Sequence, residues 1–531
     1  MWTYLNNEDK LKYKKLITNF ASLSEAFSQK NENNDEKVAP IVNSKFQETV
    51  FQKSFGAIGE DIANTSYDAS LLLDDNHKYL VGIKSFGVNS GDQKIAQFKK
   101  NSQYDNWNKI LNEISANAKN SNNIEEANKK NKALYYKLAL KIAMLRNSRI
   151  ESSKQQIKGF KGTEKNVEAV YHVLMPSKRG DVPKIHVGET DYTTIDVGKL
   201  KVIGATKLRN PTNFKFTDEQ HQYKYTSADS QLYMSFNNKE IIVESWDINY
   251  IEDPFRLFEN LNQLTKFNDM NSKIRNEDIE DTVSWIIVDK NGAIHENSGF
   301  NGFNGAPKLS KANGYREKRI KNILFKFSDV ISSIKLKEVK YYLEVLLLND
   351  YKSSRDKQIM KEKREELMKL LENIDNDELT KSVHSLVFRP MKEMYIPIPN
   401  SKTFHENNPH FFGENIGTFK DGTNKLKLPK EKRIFKLEFL SSGDIIDAYI
   451  NQDGGKSIQS YSDQQILGEW ILYGVFQLKP REILTEKKLN DIGINGIRLV
   501  KFKDKSRGIG LEFIWIEQDN PPKDAIGWIA K

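Results

Sequence analysis

The stretch 59-GEDIANTSYDASLLLDDNHKYLVGIKSF-86 decides the reading of the chain. Two apolar runs, Tyr67–Leu73 and Tyr79–Ile83, flank a turn at Asp74–Asn76, and a helix-like stretch around Phe51 to Ile62 precedes them, so the order is helix, strand, hairpin, strand. The hairpin sets Asp68, at the start of one strand, beside Lys84, at the end of the next. Alternation puts Gly82 and Lys84 on one face and leaves Ile83 able to present only its backbone carbonyl. A carboxylate, a carbonyl and a lysine at adjacent strand ends are the groups that metal-assisted phosphodiester hydrolysis needs, as oxygen ligands for a divalent ion and a cation near the attacking water. The bland alternative is that Asp68 caps a strand, Lys84 is an ordinary surface lysine and Glu60 is a solvated helix residue, since an isolated Asp–Lys spacing is common by accident.

Working outward, Tyr13, Leu16, Ile17, Phe20, Leu23 and Phe27 recur at helical spacing, and a polar run from Asn31 to Glu36 ends that helix. Downstream, the polar stretch Asn117–Lys132 leads into a helix over Leu134–Arg149. Its apolar face carries Leu134, Leu138, Ile142 and Leu145, and its charged face Lys137, Lys141 and Arg146. From Val167 to Glu244 short β-type runs follow one another, which gives the first domain additional sheet. A boundary is expected between Pro254 and Asp281. The strand Trp285–Val288 and a Gly/Asn-rich loop then lead to a helical tract from Glu317 to about Leu379, read as an inserted helical hairpin with a solvated charged face. From Val387 onward strands and turns alternate, as in a small β-barrel with one or two helices. The division is therefore 1–270 and 281–531, with an insertion over about 308–386.

Composition bounds the function. A chain of 531 residues exceeds what one core usually organises, and it has no apolar run long enough to span a membrane. With no cysteine there is neither a disulfide framework nor a thiolate metal site, and the opening residues lack the apolar centre of a signal peptide, so a reducing cytoplasm fits. Lys+Arg of 81 against Asp+Glu of 72 favours a polyanionic partner, but +9 spread over so large a surface does not decide the matter. The histidines are scattered, and neither a G-x-S-x-G elbow nor a G-x-x-x-x-G-K-[ST] loop occurs, which argues against an ATP-driven translocase. A competing triplet, Glu338-Val339-Lys340 after Asp329, sits in a helical run that would turn its two charged residues to different faces.

On Asp68 and Lys84 the first third of the chain resembles the PD-(D/E)xK nuclease family, in which an acid on one strand precedes an acid-x-Lys triplet on the next. Here the triplet is Gly82-Ile83-Lys84 and lacks its first carboxylate. Some family members carry that acid on a preceding helix, and the resemblance then assigns it to Glu60, with Glu48 and Asp61 in reserve. It implies an α/β nuclease fold, a mixed sheet with flanking helices. It also implies Mg²⁺ held by Asp68, the Ile83 carbonyl and Glu60, with Glu60, Asp68 and Lys84 catalytic. Gln93 and Gln97 follow Lys84 at helical spacing, as polar residues often do in the family.

The segments 284-SWIIVDKNGAIHENSGFNGFNG-305, 389-RPMKEMYIPIPNSKTFHENNPHFF-412 and 447-DAYINQDGGKSIQSYSDQQILGEWIL-472 resemble, in that order, strings of the C-terminal DNA-recognition domain of NgoFVII-type restriction endonucleases. The fold this implies is a β pseudobarrel, also found in the plant "B-three" domain, that grips the major groove with two arms. By resemblance Asn301, Phe303, Asn304 and Arg389 belong to the first arm, and Gln452, Asp453, Lys456 and Gln459 to the second. Asn, Gln, Lys and Arg side chains can tell bases apart, which suits such arms. Without the resemblance NQDGGK is as readily a plain Gly-Gly hairpin, while PHFF and LGEW read better as core packing. The function implied is type II site-specific cleavage of double-stranded DNA within restriction–modification in a bacterial cytoplasm, by a homodimer or by chains paired on DNA, with no membrane partner. Phospholipase-like relatives use H-x-K motifs, which this chain lacks. The alternative is a DNA-binding protein whose nuclease has decayed or depends on modified bases.

Overall fold

The two apolar runs of the decisive stretch, buried on both faces, form a hairpin within a six-stranded sheet. In a computed structural model, which describes residues 1–27, 37–59, 67–74, 77–160, 167–258, 278–289, 291–307, 309–310, 312–349 and 354–527, β1 (Ile58–Gly59), β2 (Ala69–Leu72) and β3 (Lys78–Ser85) pair antiparallel. Ala69 stands opposite Val81. Beyond β3 the order continues with β5 (Val167–Pro176), β6 (Lys184–Asp191) and β11 (Ile242–Asp247). β3 and β5 are parallel, in register from Lys78 opposite Val167 to Ser85 opposite Leu174. A parallel pair needs a long crossover, and it is made by β4 (Gln93–Gln97), α3 (Lys99–Tyr104), α4 (Trp107–Lys119) and α5 (Ile124–Lys158).

Two cores flank this sheet. On one face α1 (Asn7–Ala21) and α2 (Ser44–Phe55) bury Tyr13, Ile17 and Phe51 against Val81, Ile83, Val170 and Leu174. On the other, α5 and a second, antiparallel sheet enclose Leu80, Tyr171, Val173 and Met175. The second sheet has the order β4, β10 (Gln231–Met234), β9 (Gln222–Thr226), β8 (Phe214–Thr217), β7 (Lys201–Ala205).

The third sheet is assembled from β12 (Ile279–Ile286), β13 (Ile396–Pro397), β14 (Ile434–Phe439), β15 (Asp444–Ile450), β16 (Ser457–Ser460), β17 (Gly496–Phe502) and β18 (Ile509–Ile514). Its order is β12-β17-β18-β14-β15-β16-β13, so the expected closed barrel is an open sheet. Two local facts keep it open. The outer edge of β12 is taken by the chain terminus, Ser284 N–H donating to Asp524 O and Ile526 N–H to Ser284 O, and β13 is only two residues long and holds a proline that has no N–H to give.

The insertion also differs from its expected form. It is four helices rather than a hairpin, α6 (Tyr315–Lys326), α7 (Ser333–Leu348), α8 (Ser354–Ile374) and α9 (Asp377–Val387), around a core of their own that includes Ile320, Val339, Leu343, Leu367 and Val383. Asn376 separates the last two by capping α9 through Leu379 N–H. Within α7, Glu338 and Lys340 are exposed on either side of buried Val339, the two-face arrangement expected of a helix.

α5 runs well past both ends of its expected span, and Arg146, assigned above to a charged outer face, is buried with Nη1 donating to Thr193 O at 2.7 Å. A helix leaves its last carbonyls short of intrahelical donors, and in α5, where the Gly159 N–H caps Gln155 O at 3.1 Å, three of them also take donors from distant chain. Trp470 Nε1 donates to Gln155 O at 2.8 Å, Ser441 Oγ to Gln156 O at 3.1 Å and Lys78 Nζ to Ile157 O at 3.3 Å. Gly159 then turns the chain away at φ +70°, so that Phe160 N–H reaches Asp444 Oδ2 and its ring packs on Phe439 and Trp470. A Cβ at Gly159 would lie 2.1 Å from Asp444 Oδ2. Gly159→Ala is therefore expected to destabilise the whole chain by at least about 1–3 kcal/mol, read as a lowered midpoint in urea unfolding. A midpoint equal to wild type would show that this junction is not part of the cooperative unit.

Candidate functional site

The ends of β2 and β3 meet as the hairpin requires. Asp68 N–H donates to Val81 O at 3.0 Å, and one carboxylate oxygen, Oδ2, then accepts both Ile83 N–H at 2.7 Å and Lys84 Nζ at 3.0 Å. In a strand a residue's N–H and C=O point to the same edge, so the Ile83 carbonyl is directed to the side on which the Asp68 carboxylate lies. Both charged side chains keep about 29% exposure, so the pair is open to solvent and to a ligand.

Gly82 has a packing reason. A Cβ there would stand 2.7 Å from the ring of Tyr171, its partner on β5, and 3.2 Å from that of Tyr192. The two tyrosines stack with centroids 4.0 Å apart, and the Arg146 guanidinium lies 5.1 Å from the Tyr192 ring. Burial pushes the Tyr171 phenol well above its ordinary pKa, with Tyr192 adding to the shift. The space beside position 82, where the acid-x-Lys reading expected a carboxylate, is thus filled by aromatic core. On the far face, His172 shares hydrogen-bonding distance with Tyr13 Oη (3.0 Å), and burial holds its pKa down at about 3, so it is neutral packing and not an acid–base group.

The other sequence candidates separate. Glu60 and Asp61 lie outside the described residues. Glu48 is on α2, which packs on the sheet face opposite Gly82 and Lys84; Ser44 of the same helix meets Ser85, and Glu48 itself pairs with Lys45 at 3.2 Å. Gln93 and Gln97 are not helical. They belong to β4, where Gln97 Oε1 accepts from Lys94 and Gln93 Nε2 donates to Gly91 O. Among the described residues no three or more His, Cys, Asp or Glu are grouped to hold a metal. Asp68 with the Ile83 carbonyl is nonetheless a donor set that suits Mg²⁺, which commonly takes one or two carboxylates and keeps several waters.

Toward the C-terminus, the assignments of Asn301 and Phe303 to the first arm are corrected. Asn301 is fully buried with both amide atoms on the Leu484 backbone, Nδ2 donating to its O and Oδ1 accepting its N–H, and Phe303 sits in the third-sheet core. Neither can reach a base. Asn304 is half-buried, its O accepting from Arg364 Nη1. Arg389 is held by Glu393 Oε1 (3.1 Å) and Ala306 O (3.2 Å), and it lines a cavity of about 380 Å³ with Gln459, Glu393 and Tyr395. Gln459 accepts from Tyr449 Oη at 2.5 Å.

Gln452, Asp453 and Lys456 are exposed around a turn made by Gly454 (φ +68°) and Gly455 (φ +59°), where a Cβ on Gly455 would meet the His405 ring at 2.4 Å. Alongside runs a segment that the sequence reading passed over. Leu426 N–H donates to Gln452 O, and Lys420, Lys425, Lys427, Lys430 and Lys432 of this segment are exposed. Lys430 also lies over Tyr449 at 4.4 Å. The lysine density was the signal.

Neither comparison with protein-family models nor comparison with curated proteins gives a match to this chain.

Placing an acid at position 82 is a direct test of the Gly82 packing. Gly82→Glu should lower the thermal midpoint, because the new Cβ must displace Tyr171, an overpacking cost of about 1–3 kcal/mol. The same substitution with Tyr171→Ala should recover some of that loss. No recovery in the double variant would mean that Tyr171 is not what excludes a side chain at this position.

Proposed function

We propose that the chain is a Mg²⁺-dependent, site-specific deoxyribonuclease that hydrolyses double-stranded DNA within restriction–modification. The observation that carries this reading is the single oxygen of Asp68 shared by Ile83 N–H and Lys84 Nζ at the mouth of a β hairpin. In this reading the first sheet with α1, α2 and α5 is a PD-(D/E)xK-like nuclease, and the third sheet is an opened form of the DNA-reading pseudobarrel.

Asp68 and the Ile83 carbonyl would hold Mg²⁺, which when bound supplies a hydroxide at neutral pH and offsets charge on the phosphate. Lys84 keeps its ammonium at the same corner and orients the attacking water, and the Ile83 N–H fixes the Asp68 carboxylate so that its other oxygen stays free. Glu60 remains the proposed further acid. The reading function rests on Arg389 and Gln459 within one cavity and on Gln452, Asp453 and Lys456 around the tight turn, with the lysines of 420–432 available to phosphates. Asn304 stands behind them as a backbone anchor. Cutting both strands takes two sites, so a homodimer or two chains paired on DNA is expected. Among the described residues no helix is long and apolar enough to cross a membrane.

The test separates cutting from binding. Asp68→Asn and Lys84→Ala should each abolish plasmid cleavage in Mg²⁺ while leaving affinity for the cognate duplex within about twofold, because they act on metal and water and not on base edges. Lys425→Ala and Lys456→Ala should instead weaken binding to all sequences and flatten its salt dependence by about one counterion each. Cleavage by Asp68→Asn at the wild-type rate would remove the proposed site. If wild type binds a specific sequence yet never cuts, the alternative of a decayed or modified-base-dependent nuclease takes its place, and methylated against unmethylated plasmid decides between those two forms.

A further inference from the structure

The outer face of the second sheet carries a row of positive charge that packing does not explain. Its strands alternate, with Phe214, Phe216, Tyr223, Tyr225, Leu232 and Met234 turned into the core shared with α5. The residues between them face outward, and register aligns four outward residues across four strands. Lys215 stands opposite Lys224, Lys224 opposite Tyr233, and Tyr233 opposite Lys94. Lys94 is exposed and the other three are half-buried, with the Lys224 ammonium 5.6 Å from the centre of the Tyr233 ring. Like charges directly opposite one another destabilise a sheet. Lysines commonly guard sheet edges, yet β8 and β9, which bear Lys215 and Lys224, are interior strands.

The face is also short of compensating charge. None of β4, β7, β8, β9 and β10 contains an Asp or Glu. Lys215 reaches Asp92 at 3.7 Å, whereas Lys94 donates to neutral Gln97 and Lys224 rests on Tyr233, neither with a carboxylate partner among the described residues. The acids at the sheet's margins are already engaged, Glu219 by Lys201 and Asp229 by Lys99. Lys207 and Arg209, in the turn between β7 and β8, are exposed and make no ion pair among the described residues. An external polyanion would relieve the repulsion that the fold leaves in place.

Shape narrows the choice of polyanion contact. Five strands at the usual spacing of ~4.8 Å reach about 19 Å across, wider than the roughly 12 Å major groove, so this face can lie across the phosphate ridges of a duplex but cannot enter a groove. We propose that the outer face of the second sheet holds duplex DNA by its phosphates, independently of sequence, through Lys94, Lys215 and Lys224, with Tyr233 supporting Lys224. β4 follows β3 with only residues 86–92 between them, so this surface belongs to the same unit as the Asp68–Lys84 corner. Asn238 Nδ2 fixes that connection by donating to Val88 O and Ser90 O. The proposal takes from the nuclease reading only the duplex as partner, and it requires no cleavage.

The experiment measures binding of the full chain to a fluorescent random-sequence duplex by anisotropy over a salt series, in EDTA so that no strand is cut. Wild type is compared with Lys224→Gln, with the double variant Lys215→Gln/Lys224→Gln, and with Lys109→Gln, a control at an exposed position of α4. Lys224→Gln should weaken binding about threefold or more and lower the salt slope by about one, and the double variant should lower it by about two. The control should match wild type. The thermal midpoint of Lys224→Gln should equal or exceed that of wild type, because cross-strand repulsion is relieved. Should a variant fail to fold, wild type carries the test alone: bound duplex should shield Lys94, Lys215 and Lys224 from chemical acetylation while Lys109 reacts as in the free protein. Duplex binding that both face variants leave unchanged would overturn the proposal and leave the nuclease reading standing. Binding that depends on these lysines, with no cleavage of any plasmid in Mg²⁺, would do the reverse. No binding of random duplex by wild type, a control as weak as Lys224→Gln, face lysines that react equally with and without duplex, or a preference for single strands of the same length would each overturn it as well.

Discussion

The last turn of α5 is the constraint on which the rest of the molecule depends. Beyond the Gly159 cap on Gln155 O, its carbonyls take donors from β3 of the first sheet and from residues 441 and 470 of the third-sheet region. Arg149, one further turn back, binds Asp491 O and Asn101 Oδ1, and Asn101 Nδ2 returns to Asp491 Oδ1. A single helix thus closes the parallel crossover of one sheet and serves as the floor of another. The consequence is mechanical. The hairpin bearing Asp68 and Lys84 and the sheet bearing Gln459 are joined through buried hydrogen bonds, and not only through the chain between 258 and 278.

The geometry at β2 and β3 follows from the shortest-range physics in the chain, which is why it was legible in the sequence. A hairpin of two apolar runs fixes register locally, and register fixes which residues face each other. The alternation that places Lys84 on the face of Gly82 needs no knowledge of the rest. The same logic misled at Gln93 and Gln97. A spacing of four puts two residues on one face of a helix and on one face of a strand alike, and β4 takes the strand because β10 offers it a ladder. Arg146 was misread for a related reason. Its place in the helical pattern matches Lys137 and Lys141, but three tyrosines, Tyr171, Tyr192 and Tyr223, converge on it from two sheets, and such convergence leaves no trace in periodicity.

Gly82 did carry a readable signal. A glycine inside a strand marks close approach by something else, and the ring of Tyr171 is what approaches. The missing carboxylate is therefore a matter of packing as well as of chemistry, for any acid at that position would compete with an aromatic stack for the same volume. The open third sheet shows a limit of a different kind. Most of the strands could be read from their apolar runs, whereas β16 and the capture of the β12 edge by residues 524–526, two hundred and more positions away, could not.

The buried state of Asn301 and Phe303 changes where specificity can reside. Residues in the 299–305 stretch hold the loop in place by binding the Leu484 backbone and filling the core, so under the proposed function any base-reading groups would have to come from other side chains. Arg389 is fixed on two sides, by Glu393 and by Ala306 O, which lowers the entropy lost when it engages a partner. The turn at 454–455 is fixed differently, by glycine backbone pressed against His405, while Gln452, Asp453 and Lys456 remain exposed around it. Arg389 is thus ordered through its side chain and the 454–455 turn through its backbone. Under the proposed function, side-chain ordering would suit a contact that discriminates, because the angle of the guanidinium is set in advance. Backbone ordering would suit a turn that approaches a duplex closely and lets longer side chains adjust.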